Sequence, residues 1–169
     1  MIDKSKIENR SGFTLAELLI ALAIAAILLV AVAVAFNASA VNYQQNEDIF
    51  KAVNSARQAL FRITTQLRTA DAVDPNAPNN ECTLITAASE NITYRYNSGD
   101  NKLYLITNDD LTDSDYVLCD NVTAMNCTKT WVVEDSVIKV QNVQISITVA
   151  SDDIEKTISA AAAIRRNLD

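Results

Sequence analysis

The most strongly patterned part of the chain lies near its N-terminus. Residues 18–36 read LLIALAIAAILLVAVAVAF, 19 positions without a polar side chain. As a helix this run spans roughly 28 Å, close to the hydrocarbon thickness of a bilayer. Helical patterning continues beyond it. Ile49, Val53, Ala56, Leu60, Ile63, Leu67 and Ala70 recur at steps of three and four, with Arg57, Gln58, Arg62, Gln66 and Arg68 largely off that stripe. This is the pattern of an amphipathic helix with one apolar face. No glycine or proline falls between Phe13 and Asp74, and DPNAPNN at 74–80 then stops the helix. A single helix over 13–73 would be roughly 90 Å long. A separate amphipathic helix after a kink at 37–42 fits the same pattern.

After Asn80 the period changes to two. Segments 92–97 and 102–107 alternate β-formers around Ser98-Gly99-Asp100-Asn101, which predicts a hairpin. Further strands are expected at 83–87, 116–118, 122–127, 131–133, 140–149 and 156–164. Ile145, Ile147 and Val149 alternate with Gln144, Ser146 and Thr148, as in a sheet with one solvated face. The run SAAAA at 159–163 has helical propensity, but its place at the end of an antiparallel run makes it the last strand. The expected fold class is α+β: a long N-terminal spine helix packed on an antiparallel β-sheet head.

Composition narrows the chemistry. The 169 residues carry 21 acidic and 14 basic side chains, a net charge of −7. An acidic balance gives no general hold on a nucleic-acid backbone, so no nucleic-acid partner is expected. There is no histidine. That excludes Ser-His-Asp and Cys-His catalysis and any imidazole metal site. Two glycines, Gly12 and Gly99, cannot form a phosphate-binding loop. Three cysteines are one too few for an all-cysteine zinc site. No enzyme activity and no cofactor are expected.

Ahead of the apolar run, Lys4, Lys6 and Arg10 stand against Asp3 and Glu8, and the first charges after it are Glu47 and Asp48. The positive-inside rule keeps such an N-terminus in the cytoplasm. Ala38-Ser39-Ala40 fits a signal-peptidase site before Val41, but the run is longer than an ordinary signal-peptide core and opens with Glu17. A carboxylate there costs up to about 2.5–3.5 kcal/mol at a bilayer centre, less near a helix end, and needs a partner or a function.

Gly12-Phe13-Thr14-Leu15-Ala16-Glu17, followed directly by the apolar run, resembles the processing motif of type IV prepilins and type II secretion pseudopilins. In that family a short basic leader is cut after the glycine, and the membrane peptidase methylates the new N-terminal residue. The resemblance implies cleavage between Gly12 and Phe13 and N-methylation of Phe13. It implies pairing of Glu17 with the terminal amine of a neighbouring subunit during filament assembly. The alternative for Glu17 is snorkelling to the interface beside its own terminus. The implied organisation is leader 1–12, membrane or filament-core helix 13–36, amphipathic half 37–73 and head 74–169. Implied partners are other pilin or pseudopilin subunits, a prepilin peptidase, an assembly ATPase and an inner-membrane assembly platform. The head, through YVLCDNVTAMN, VQISITVA and KTISAAAAIRRNL, is similar to J-type minor pseudopilins and W-type minor pilins. The rival reading is a signal-anchored periplasmic domain that acts alone.

Cys82, Cys119 and Cys127 all fall in the head, where an oxidising periplasm permits one disulfide. Cys82–Cys119 is favoured, because Cys127 lies where the family pattern tends to have an apolar strand residue. Such a bridge would contribute about 3–5 kcal/mol by the chain-entropy model. Cys119–Cys127 and three reduced thiols are the alternatives. The acid-dense segment 108–115 offers Asp109, Asp113 and Asp115 as calcium ligands, since some pseudopilins bind calcium in a head loop. It fits no EF-hand, and a solvated turn is the preferred reading. The sequons at Asn91, Asn121 and Asn126 are read as coincidence, and Arg165-Arg166 as a solvated terminus.

Overall fold

The computed structural model describes residues 12–110, 115–134 and 136–165. One helix, α1 (Leu15–Thr69), is followed by eight strands: β1 (Ala72–Val73), β2 (Glu81–Ile85), β3 (Asn91–Asn97), β4 (Lys102–Thr107), β5 (Tyr116–Cys119), β6 (Val122–Glu134), β7 (Val137–Ser151) and β8 (Ile154–Ala163). The chain divides into two units between Gln44 and Gln45, inside α1. In the first, every described residue is exposed. The second contains the rest of α1 and both sheets.

The predicted α+β class holds, with one revision of the head. Instead of one sheet there are two antiparallel meanders, ordered β1-β2-β3-β4-β5 and β6-β7-β8. Alternation along a strand tells which face is buried, not which neighbour it pairs with. At Asn121 the backbone turns left-handed (φ 58°), and β6 takes up β7 instead of β5. The two sheets are stitched by backbone and phenol. Val122 N–H donates to the Asn101 carbonyl at 2.9 Å and Cys127 N–H to that of Asn79 at 2.7 Å. Tyr96 Oη–H donates to the Thr123 carbonyl at 2.9 Å.

The core joins the helix to both sheets. Ile49, Ala52, Ala56, Ala59, Leu60, Ile63 and Leu67 of α1 lie with Leu84, Ile92, Tyr94, Leu103, Val122, Met125, Val143, Ile145, Ile147 and Val149 in one buried cluster. The predicted stripe is therefore the buried face, although Val53 is only half-buried. Thr64 is buried without cost because its hydroxyl donates to the Leu60 carbonyl at 2.9 Å. The helix ends at Thr69, short of the expected 73, and Val73 belongs to β1.

Two bulges explain phase changes that a strict period of two cannot. Between the pairs Val122↔Val149 and Ala124↔Thr148, Thr123 is extra; between Thr130↔Asn142 and Trp131↔Val140, Gln141 is extra. Burial accordingly moves from Val122 to Met125 and Cys127 on β6, and from Val143 to Val140 on β7. The alanine run is a strand because β7 pairs with it: Ile145↔Ala160 and Val143↔Ala162. Sheet pairing overrides helical propensity there. In the β3–β4 turn it is Asn101 (φ 56°), not Gly99, that takes the left-handed conformation, which asparagine tolerates better than most residues. β8 reaches only to Asn142 of β7. Segments 130–134 and 137–141 therefore continue as a two-stranded ribbon, with Trp131, Val133, Val137 and Ile138 exposed.

Tyr94 is the largest fully buried side chain. Its hydroxyl donates to Gln66 Oε1 of α1. Burial pushes its phenol up to about 12 from 10.0, against the opposing charge of Arg62. An acid whose folded pKa is raised stabilises the fold fully below its unfolded pKa and loses that contribution as pH rises through the folded value. Stability should therefore fall between pH 10 and 12 in alkaline titration followed by circular dichroism. The Tyr94→Phe variant should lack that component.

Candidate functional site

The N-terminal site is built from a short non-helical segment and the first turn of α1. Gly12, Phe13 and Thr14 precede the helix and are exposed, Phe13 at 84%. Apart from Gly12 and its chain neighbours, no atom of the described residues lies within 4 Å of where a Gly12 Cβ would stand. The Gly12–Phe13 bond thus sits in accessible, non-helical backbone. Thr14 is the helix cap. Its Oγ1 accepts the Glu17 N–H at 3.2 Å. In return, Glu17 Oε2 accepts the Thr14 N–H at 2.9 Å and the Thr14 hydroxyl at 2.9 Å. This reciprocal capping box satisfies two donors that a helix start otherwise leaves open, and such caps contribute about 0.5–2 kcal/mol. Both hydrogen bonds of the Glu17 carboxylate to the described residues fall on Oε2, leaving Oε1 for another donor. The cap lies wholly on the C-terminal side of the Gly12–Phe13 bond. Thr14-x-x-Glu17 ahead of an apolar run was the available signal for it.

From Leu15 onward the helix presents apolar side chains in every direction, with Leu29 at 70% and Phe36 at 75% exposure. Its most apolar window has a mean hydropathy of 3.2 and no buried residue. The helix is long and apolar enough to cross a membrane, as expected of a single-pass anchor. Ala38, Ser39 and Ala40 lie inside α1.

In the head, the three cysteines are all buried thiols. The topology sets Cys82 and Cys119, the favoured pair, apart. Cys82 is on β2 and Cys119 on β5, with β3 and β4 between them. Three strand spacings amount to about 14 Å, twice the Cα separation that a disulfide can span. Cys119 instead donates its thiol to the Asp120 carbonyl at 3.3 Å, and burial and the Asp120 charge push it up to about 11. Cys82 on β2 and Cys127 on β6 belong to one buried cluster where the two sheets meet, and the Cys127 thiol together with burial raises Cys82. The Cys82 thiol lowers Cys127, helped by the charge of Lys129. Lys129 is itself buried at 8% exposure, and its Nζ donates to the Ala77 carbonyl at 2.6 Å. No sequence signal marked either this lysine or the thiol pair, because both depend on how the sheets meet.

Asp109 Oδ2 accepts the Asn91 N–H at 2.7 Å; Asp115 is exposed. Asp113 lies outside the described residues, as do Arg166 and the leader positions 1–11. Among the described residues, no group of three or more Cys, Asp or Glu side chains is placed to hold a metal ion.

Compared with curated proteins and with solved structures, the chain gives no match. Compared with protein families, residues 8–33 match the model of the prokaryotic N-terminal methylation motif. That stretch contains Gly12, Phe13, the Thr14–Glu17 cap and the first turns of the apolar helix. The chain therefore carries, over residues 8–33, a prokaryotic N-terminal methylation motif of the type IV prepilin-like kind.

Proposed function

We propose that the chain is a structural subunit of a type II secretion pseudopilus or type IV pilus, and a minor one by the similarity of its head to J-type pseudopilins and W-type pilins. The observation that carries this reading is the methylation motif set on an exposed bond immediately before an exposed, uninterrupted apolar helix. Lys4, Lys6 and Arg10 hold the N-terminus in the cytoplasm and the head is periplasmic. Prepilin peptidase cuts between Gly12 and Phe13 and methylates the Phe13 amine. Loss of those three cations together with Asp3 and Glu8 takes the net side-chain charge from −7 to −8.

The mature helix is stored in the inner membrane. During assembly, apolar contact with neighbouring helices replaces contact with lipid. Glu17 keeps its own cap through Oε2 and receives the Phe13 amine of a neighbouring subunit on Oε1, a charge-assisted bond that sets the axial register. Assembly, not catalysis, is the mechanism.

Intact mass and N-terminal peptide sequencing of the protein from its host's membranes test this. The expected mature chain begins at N-methyl-Phe13. A chain beginning at Val41, or still carrying Met1, would sink the reading in favour of a signal-anchored or secreted domain. The helical setting of residues 38–41 speaks against the first of those outcomes.

A further inference from the structure

We propose that Cys82 and Cys127 are oxidised to a disulfide that clamps β2 of the first sheet to β6 of the second. Four observations converge. Both side chains are fully buried, at 0% exposure each. The backbone next to them is already tied, since Cys127 N–H donates to the Asn79 carbonyl at 2.7 Å, three residues before Cys82. β2 and β6 pack against each other where the sheets meet, and both cysteines belong to the same buried cluster. Cys119 is held apart from Cys82 by two intervening strands.

The site also distinguishes the two sulfurs. A surface cavity of about 250 Å³ is lined by Pro75, Ala77, Asn79, Cys127, Lys129 and Trp131. Cys127 is among its lining residues, whereas Cys82 is not. The Lys129 ammonium, two residues along the same face of β6, favours the Cys127 thiolate. Cys127 is therefore the sulfur that meets an oxidant, and Cys82 resolves the product.

The oxidant required is a disulfide of low-molecular-weight or protein type, of the kind an oxidising compartment supplies. The Cys127 thiolate attacks one sulfur of that disulfide, forming a mixed disulfide and expelling one thiolate. Cys82 then gives up its proton and attacks the Cys127 sulfur, expelling the second thiolate. The two thiols lose two protons and two electrons, and the oxidant is reduced to two thiols.

The pairing rests on the geometry of the head alone; only the supply of oxidant in the cell rests on the periplasmic placement proposed above. The test separates the two. The full chain, purified in detergent and reduced, is equilibrated with oxidised glutathione, trapped with maleimide and mapped by mass spectrometry. The expected product is a linked Cys82–Cys127 peptide with maleimide on Cys119. A Cys119→Ser variant should link equally well. In a Cys82→Ser variant, glutathione should remain trapped on Cys127. A Cys82–Cys119 or Cys119–Cys127 peptide, or three maleimide-labelled cysteines in the unmutated chain, would overturn the proposal. The same mapping on protein acid-trapped directly from host membranes should show the link already formed. A chain that links in detergent but is fully reduced in the host would overturn the periplasmic placement and leave the pairing standing.

Discussion

Replacing Tyr94 with alanine should lower the unfolding free energy of the head by about 3–5 kcal/mol, the range for deleting a large buried aromatic side chain. Tyr94 is fully buried in the core cluster. It sits between Cys82 on β2 and Leu105 on β4 and reaches Gln66 of α1 with its hydroxyl. Deletion would leave a cavity where helix and first sheet meet. Tyr94→Phe should cost only about 0.5–1.5 kcal/mol, the net value of one hydrogen bond, because half-buried Gln66 can turn to water. Urea unfolding of the full chain in detergent, followed by circular dichroism, measures both. Equal losses from the two variants would show that the hydroxyl, rather than ring packing, carries the contact.

Glu17→Ala should abolish incorporation into filaments while leaving cleavage after Gly12 largely intact. The capping box adds a control that the sequence motif does not suggest. Glutamine at the same position of a capping box can still accept the Thr14 N–H, but it is neutral. If Glu17 acts by pairing with a neighbouring amine, Glu17→Gln should fail as completely as Glu17→Ala. If it acts only by capping its own helix, glutamine should restore assembly. Membrane fractionation and immunoblotting of sheared filaments, with N-terminal sequencing of the retained subunit, distinguish these outcomes.

How far the residues alone disclosed this protein depended on the range of the interactions. The Gly12–Phe13 motif, the apolar run and the stripe from Ile49 to Leu67 are local patterns, and the helix follows them. The β3–β4 hairpin was equally legible, with β4 falling at the expected Lys102–Thr107. The missed features need two distant segments. β1 is a two-residue strand that exists only because Ala72 and Val73 pair with Ile85 and Leu84. Cys127 lies among apolar strand positions and gave no sign of meeting Cys82, which belongs to the other sheet. Lys129 would be taken for a solvated residue on its charge alone, although it is in phase with buried Met125 and Cys127. It is buried because the irregular segment after the helix offers it the Ala77 carbonyl. The polar stretch Thr128-Lys129-Thr130 made one long strand, β6, look like two shorter ones.

The ribbon formed by the outer ends of β6 and β7 sets a gradient of local stability. Toward Val149, β7 is paired in register with β6 and β8 and lies in the core; the register with β8 stops at Asn142, with Ile164 N–H still reaching the Gln141 carbonyl at 3.0 Å, while that with β6 runs on to Val137. A lone two-stranded hairpin is marginal in water, so its opening requires far less free energy than unfolding the sheet behind it. The head is thus a rigid body with one soft lip. Trp131, Val133 and Ile138 can melt away from one another and re-form against a different surface without disturbing the packing around Val143 and Ile147.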